Sequence, residues 1–104
     1  MRRYLIERDI PDLGNYSAEQ LKQAAQASCI ALQSLGDGIQ WEHSYVTGSR
    51  MYCVYLANNE ELVREHAKRG GFPANKIVEV SQVIDRLTAS RPTSRAERHP
   101  APSS

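Results

Sequence analysis

The sequence predicts an α+β domain in which a four-stranded antiparallel sheet carries two helices on one face. Three observations lead to this prediction. Strand-like segments rich in Val, Ile and Tyr alternate with two segments of helical periodicity. These segments follow one another in the order β-α-β-β-α-β. The 104 residues are enough for one domain with a modest core.

The first strand is predicted over residues 3–9 (RYLIERD). Tyr4 and Ile6 point to one face and Leu5 to the other, so both faces of this strand carry a large apolar side chain. Strands that are apolar on both sides are typical of sheets that are covered on both sides. A loop punctuated by Pro and Gly follows the strand.

The first helix is predicted over residues 18–35. Ser17 and Gln20 form a capping box at its start, since the hydroxyl and the amide can each satisfy a backbone N–H of the other residue. Gly36 is well placed to end the helix in a left-handed conformation. Cys29 lies within the helix, and we expect it to be a small buried thiol.

The second half of the chain predicts a hairpin, a helix and a last strand. Two runs rich in Tyr and Val give a hairpin over residues 40–57. A helix follows over 59–69, with Asn58 as its predicted N-cap. Residues 77–84 (IVEVSQVI) give the last strand. The complete order is that of the ferredoxin-like βαββαβ fold, a four-stranded antiparallel sheet with two helices on one face.

The domain is predicted to end near residue 87. Residues 88–104 are rich in Pro, Ser and Arg and contain almost no large apolar side chain. Such a tail buries too little surface to offset the entropy of ordering it, so we expect it to be disordered. A tail of this kind could also serve as a flexible segment that binds a partner.

Composition limits the classes of function. The chain has 13 Lys and Arg against 12 Asp and Glu, so it lacks the basic excess of a nucleic-acid-binding domain. The first residues have no apolar signal region, and no run approaches the length of a membrane span. We therefore expect a cytoplasmic protein whose two cysteines are thiols.

The predicted architecture leaves one sheet face without helices. Because the strands are apolar on both faces, we expect a second copy of the chain to cover that face and form a homodimer.

The hairpin register decides which side chains can form a site. If its turn closes with an even number of residues, Trp41 and His43 share one face with Tyr52, while Cys53 lies on the other. His43 and Cys53 then belong to two separate polar sites. A β-bulge would shift one strand and could bring both to the same side.

Five side chains are candidate ligands for a transition metal. Imidazole, thiolate and carboxylate together suit nickel, zinc or copper. The chain has no C-x-x-C or H-E-x-x-H motif, so a structural role remains open for each of them. A histidine on an aromatic strand or an apolar helix face is often only a hydrogen-bonded core residue. The candidates are His43, Cys53, His66, Glu7 and Glu79.

Three segments resemble a family of small bacterial proteins, common in actinobacteria, that was long classed as a domain of unknown function and includes a nickel-binding member. They are RYLIERDIP (3–11), WEHSYVTGSRMYCVYLA (41–57) and EHAKRGGFPANKIVEVSQVID (65–85). Arg86 departs from the family, in which Pro often follows the Val-Ile-Asp of the last segment. The resemblance implies a ferredoxin-like fold, a homodimer, and binding of nickel as a store or buffer rather than as a catalyst.

Two further functions stay open. Ferredoxin-like dimers often enclose a pocket between sheet and helices, so the chain could be an enzyme or a binding protein for a small aromatic molecule. Tyr45, Tyr52, His66 and Cys53 are candidates to line such a pocket. An enzymatic role is the less favoured one, because no nucleophile or phosphate-binding motif is present.

Overall fold

The computed structural model of the chain describes residues 1–92 and contains the predicted strands and helices in the predicted order. The strands are β1 (Arg2–Asp9), β2 (Ile39–Val46), β3 (Arg50–Ala57) and β4 (Lys76–Val80), and the helices are α1 (Ala18–Leu35) and α2 (Glu60–Gly70). The sheet order is β2-β3-β1-β4, and every neighbouring pair is antiparallel. The predicted α+β fold of ferredoxin-like topology is therefore confirmed.

The core lies between the two helices and the sheet face that they cover. Tyr4 and Ile6 of β1 are at most 1% exposed, and they pack with Cys53 and Tyr55 of β3. Val63 of α2 is fully buried against the same cluster. Alternation along each strand thus sends one set of side chains into this core and the other to the open face.

Helix α1 begins and ends at the predicted residues. Ser17 Oγ accepts a hydrogen bond from the Gln20 backbone, and Gln20 Oε1 accepts one from the Ser17 backbone, so the capping box is confirmed. Gly36 has φ 81° and ψ −152°, a glycine conformation outside the predicted left-handed helical region. The prediction for Cys29 is wrong: its side chain is exposed, whereas the adjacent Ser28 faces the core.

Helix α2 and its N-cap each lie one residue later than predicted. Asn59 Oδ1 accepts from the Leu62 backbone at 3.0 Å, so Asn59 is the N-cap and the assignment of Asn58 is wrong. The backbone N–H of Asn58 instead donates to the carbonyl of Gly38, the residue before β2, and so extends the contact between β2 and β3. Among the described residues, no helix is long and apolar enough to cross a membrane.

The last strand is shorter than predicted. Strand β4 pairs only with β1, and the last pair is Arg3 with Val80. Because β1 begins at Arg2, which would lie opposite residue 81, the predicted strand residues 82–84 have no partner on β1. Asp85 caps a short 3-10 helix that covers the first residues of the predicted tail (Arg86–Ser90). The rest of the predicted tail, from residue 93, lies outside the described residues.

The loop between β1 and α1 is fixed against the hairpin turn. Ile10 N–H donates to the Ser49 carbonyl at 2.9 Å, and Gly14 N–H donates to the Gly48 carbonyl at 2.8 Å. Leu13, between these contacts, is 1% exposed. The loop therefore closes one end of the space between α1 and the sheet.

Candidate functional site

The hairpin contains a β-bulge, and its position decides which residues share a face. His43 lies opposite Val54 and Ser44 opposite Cys53, as in the simplest predicted register. The irregularity falls between Trp41 and His43. It therefore leaves His43 and Cys53 on opposite faces of the sheet.

The bulge instead changes the sheet face on which Trp41 lies. Trp41 lies opposite Tyr55, on the side that faces the helices, so the prediction that it shares a face with His43 is wrong. Its indole Nε1 donates to Ser44 Oγ at 3.0 Å, and Ser44 Oγ donates to Cys53 Sγ at 2.8 Å. The extra residue in β2 thus converts an expected open-face tryptophan into part of a polar chain that ends on the cysteine.

Arg8 is the residue that sequence reasoning missed. It is the third buried residue of β1, after Tyr4 and Ile6, and it is only 1% exposed. Its Nε donates to Cys53 Sγ at 3.4 Å and its Nη1 donates to the Pro73 carbonyl at 2.7 Å. The alternation of β1 could have revealed it, since an arginine at this position must enter the core.

The guanidinium of Arg8 has spare hydrogen-bonding capacity. Within residues 1–92, its buried Nη2 has no hydrogen-bond partner, and no carboxylate forms an ion pair with it. The Phe72 ring lies under the guanidinium carbon at 5.4 Å. A buried cation without an anion is costly, so this residue is unusual for a purely structural role.

His66 is fully buried on the core side of α2. Its Nε2 lies 3.1 Å from Ser28 Oγ, and its ring centroid lies 4.9 Å from that of Tyr55. Burial, helped by the charge of Arg8, lowers the pKa of His66 to about 4. Burial also raises the pKa of the Tyr55 hydroxyl. Both side chains are therefore neutral at physiological pH.

The two candidate glutamates lie apart from the buried groups. Glu7 pairs with Tyr52 on the open face, and its carboxylate is 3.7 Å from Arg50. Glu79 is half exposed on the edge strand β4, 3.7 Å from Arg2. Neither lines the cavity described below, and each contacts an arginine instead.

His43 stands on the open face. It is exposed, and its ring meets that of Tyr45 edge-on at a centroid distance of 5.0 Å. The neighbouring Glu42 is bound by Arg3 through two hydrogen bonds of 2.8 and 3.1 Å. The Arg3 hydrogen bonds hold the pKa of the Glu42 carboxyl below its ordinary value.

The five predicted ligands are thus distributed over separate places. Cys53 and His66 lie under the helices, His43 and Glu7 lie on the open face, and Glu79 lies at the edge. In the part of the chain that the structure describes, no three His, Cys, Asp or Glu side chains are grouped to hold a metal ion.

A cavity of about 500 Å³ lies between α1 and the helix-facing side of the sheet. Its polar lining includes Arg8, Ser28, Ser44 and Cys53, and aromatic rings and aliphatic side chains form most of the rest. A volume of this size, mostly apolar with a few converging polar groups, is typical of a small-molecule site.

Comparison with known proteins places the chain in a family. No curated protein matches it. It is similar in fold to the crystal structure of SCO4226 from Streptomyces coelicolor A3(2), with a TM-score of 0.67 and 20% identity over 79% of this chain and 99% of that chain. The model of the family described as "Nickel responsive protein SCO4226-like" matches residues 4–80, which include both helices and the hairpin. The chain therefore belongs to the SCO4226-like family of nickel-responsive proteins.

Proposed function

We propose that the protein is a homodimer that binds nickel reversibly, as a store or buffer, at the open face of the sheet. The observation that carries the proposal is the match of residues 4–80 to a family described as nickel responsive. The surroundings of each candidate donor support one of the possible positions for the ion.

Electrostatics disfavours the buried cysteine as a nickel ligand. Arg8 Nε lies 3.4 Å from Cys53 Sγ, so a divalent ion on that sulfur would stand close to a buried positive charge. At a separation of roughly 5 Å and an effective dielectric of about 20, the repulsion would be roughly 7 kcal/mol. His66 is fully buried, with Nε2 directed at Ser28, and therefore offers an arriving ion no open path.

His43 has the opposite environment. Its imidazole is exposed on the open face, in one row of cross-strand neighbours with Val54, Leu5 and Val78. This apolar row is a suitable surface for a second copy of the chain. A dimer formed there would bring a second set of donors near His43, which supplies what one protomer lacks. Because β2 is an edge strand of the sheet, a site at His43 would lie near the rim of that interface and could release its ion, as a buffer requires.

Nickel titration tests the proposal. Protein prepared without a nickel column should bind about one nickel ion per two chains by calorimetry. His43→Ala should weaken binding by tenfold or more, on the order of the loss expected for a metal-site residue. Because imidazole ligates only when neutral, affinity should also fall as the pH drops.

Two variants serve as matched controls. His99→Ala removes a histidine of the tail, and Cys53→Ser removes the buried thiol; both should bind nickel as the wild type does. Nickel binding that survives His43→Ala, or that is lost in Cys53→Ser, would refute the open-face site.

A further inference from the structure

The cavity under the helices is not used by the proposed nickel site, and its lining indicates a ligand of its own. It is bounded by α1, by the helix-facing residues of β1 to β3, and by the loop that docks on the hairpin turn. Trp41, Tyr55 and Phe72 supply aromatic surface, and Leu21 and Ala25 of α1 close the opposite side. Such a space accepts a flat apolar body better than a sugar or a hydrated ion.

One charge in the lining is uncompensated. Asp9, the carboxylate of the lining, accepts a hydrogen bond of 2.8 Å from Arg50 Nε and is largely exposed. Arg8 is buried and, among the described residues, has no carboxylate partner. The net charge that a ligand meets inside the cavity is therefore positive, and a buried guanidinium strongly favours an anionic partner.

Within the described part of the chain, the hydrogen bonds of Arg8 leave one of its nitrogen atoms without a partner. Nε is directed at Cys53 Sγ, which Ser44 Oγ also approaches, and Nη1 is directed at the Pro73 carbonyl. These contacts fix the plane of the guanidinium. Nη2 is buried and has no partner within residues 1–92. Arg8 thus brings an unused donor and an unbalanced charge to the wall of the cavity.

We propose that this cavity binds a small monocarboxylate with an aromatic body. Its carboxylate pairs with the guanidinium of Arg8, which lines the cavity, and its ring lies among Trp41, Tyr55 and Phe72. A single cation balances the single charge of a carboxylate, whereas a phosphate monoester would retain uncompensated negative charge in an apolar space. The nearby His66 and Tyr55 are neutral and add no second charge.

Trp41 makes the proposal directly measurable. It is the only tryptophan of the chain, and it lines the cavity, so its fluorescence reports occupancy. Sodium phenylacetate, phenylacetamide and phenyl phosphate are titrated into the full chain in the presence of a chelator. Phenylacetate should change the fluorescence saturably and bind at least about tenfold more tightly than the neutral amide, because only the anion pairs with Arg8.

Two variants test the assignment from different sides. Arg8→Met should abolish the preference for phenylacetate over phenylacetamide. Ala25→Phe, which fills the cavity from α1 and keeps Arg8, should remove binding of both probes. His43→Ala should leave probe binding unchanged, so this result is independent of the nickel site.

Three results would overturn the proposal. The first is that none of the probes saturates the fluorescence change at millimolar concentration. The second is equal affinity for phenylacetate and phenylacetamide, and the third is tighter binding of phenyl phosphate than of phenylacetate. If Arg8→Met fails to fold by circular dichroism, the wild-type ratio of acid to amide affinity and the Ala25→Phe variant still decide the question.

Discussion

At the scale of single residues, Arg8 and His66 define the chemistry under the helices. Arg8 occupies a core position of β1 that an apolar residue would ordinarily fill, and it directs hydrogen bonds to Cys53 and Pro73. His66 lies close enough for the charge of Arg8 to disfavour a proton on its ring. The charge of Arg8 on β1 thus influences the pKa of His66 on α2.

His66 should make the protein sensitive to mild acid. Its pKa is about 4 in the fold, below the ordinary value of 6.5 that it regains on unfolding. The unfolded chain therefore binds a proton that the folded chain refuses, so the stabilisation is complete above pH 6.5 and is lost as the pH falls towards 4. At pH 4.5 the loss in the free energy of unfolding should be about 2.5 kcal/mol.

The variant His66→Gln isolates this effect, because glutamine cannot be protonated and can still bond Ser28. Urea unfolding at pH 7.5 and pH 4.5 should show a smaller acid-induced loss in the variant, by about 2.5 kcal/mol. Parallel pH profiles for the two proteins would show that His66 titrates normally in the fold.

At the scale of elements, the shape of the cavity depends on a loop held against a turn. A Cβ added at Gly14 would lie 2.9 Å from the Cα of Gly48, so the β1–α1 loop and the hairpin turn meet backbone to backbone. A Cβ at Gly48 would meet nothing within 4 Å. The close approach thus restricts only one of the two glycines.

Substitution of the two glycines should therefore have unequal effects. Gly14→Ala should destabilise the protein by about 1–3 kcal/mol, because rigid backbone must move to admit the methyl group. Gly48→Ala should change the free energy of unfolding by less than about 0.5 kcal/mol. Urea unfolding at neutral pH measures both, and equal losses would argue against the backbone contact.

At the scale of the whole molecule, the sheet separates two environments. The helix-facing side holds the core and the cavity, while the open side combines apolar side chains with ion pairs such as Arg3–Glu42. Leu5, Val54 and Val78 form an apolar row across three strands of the open side. The proposed dimer would bury this row.

Solution mass should reveal the dimer. Light scattering after size exclusion should give twice the mass of one chain for the wild type. Val54→Asp places a charge in the centre of the open face and should shift the protein to the monomer, since an unpaired charge at an interface is costly.

Ile30→Asp is the matched control. Ile30 is 68% exposed on α1, away from the open face, so this variant should remain a dimer. A monomeric wild type, or dissociation in both variants, would contradict the proposed interface.

The sequence by itself determined the order and type of the elements and the start of α1. These features depend on local signals: alternation in β1, helical periodicity, and the capping box of Ser17 and Gln20. Helix α2 was shifted by one residue at its cap, because Asn58 and Asn59 carry the same side chain and only the backbone contact of Asn58 with Gly38 distinguishes them.

Tertiary structure alone decided the site. The bulge that turns Trp41 towards the helices depends on pairing between two strands, and no local signal of Glu42 predicts it. The hydrogen bonds that gather Arg8, Ser44 and Cys53 join residues far apart in the chain. Side-chain contacts of this kind depend on which faces the strands present to one another, and a shift of one residue exchanges those faces.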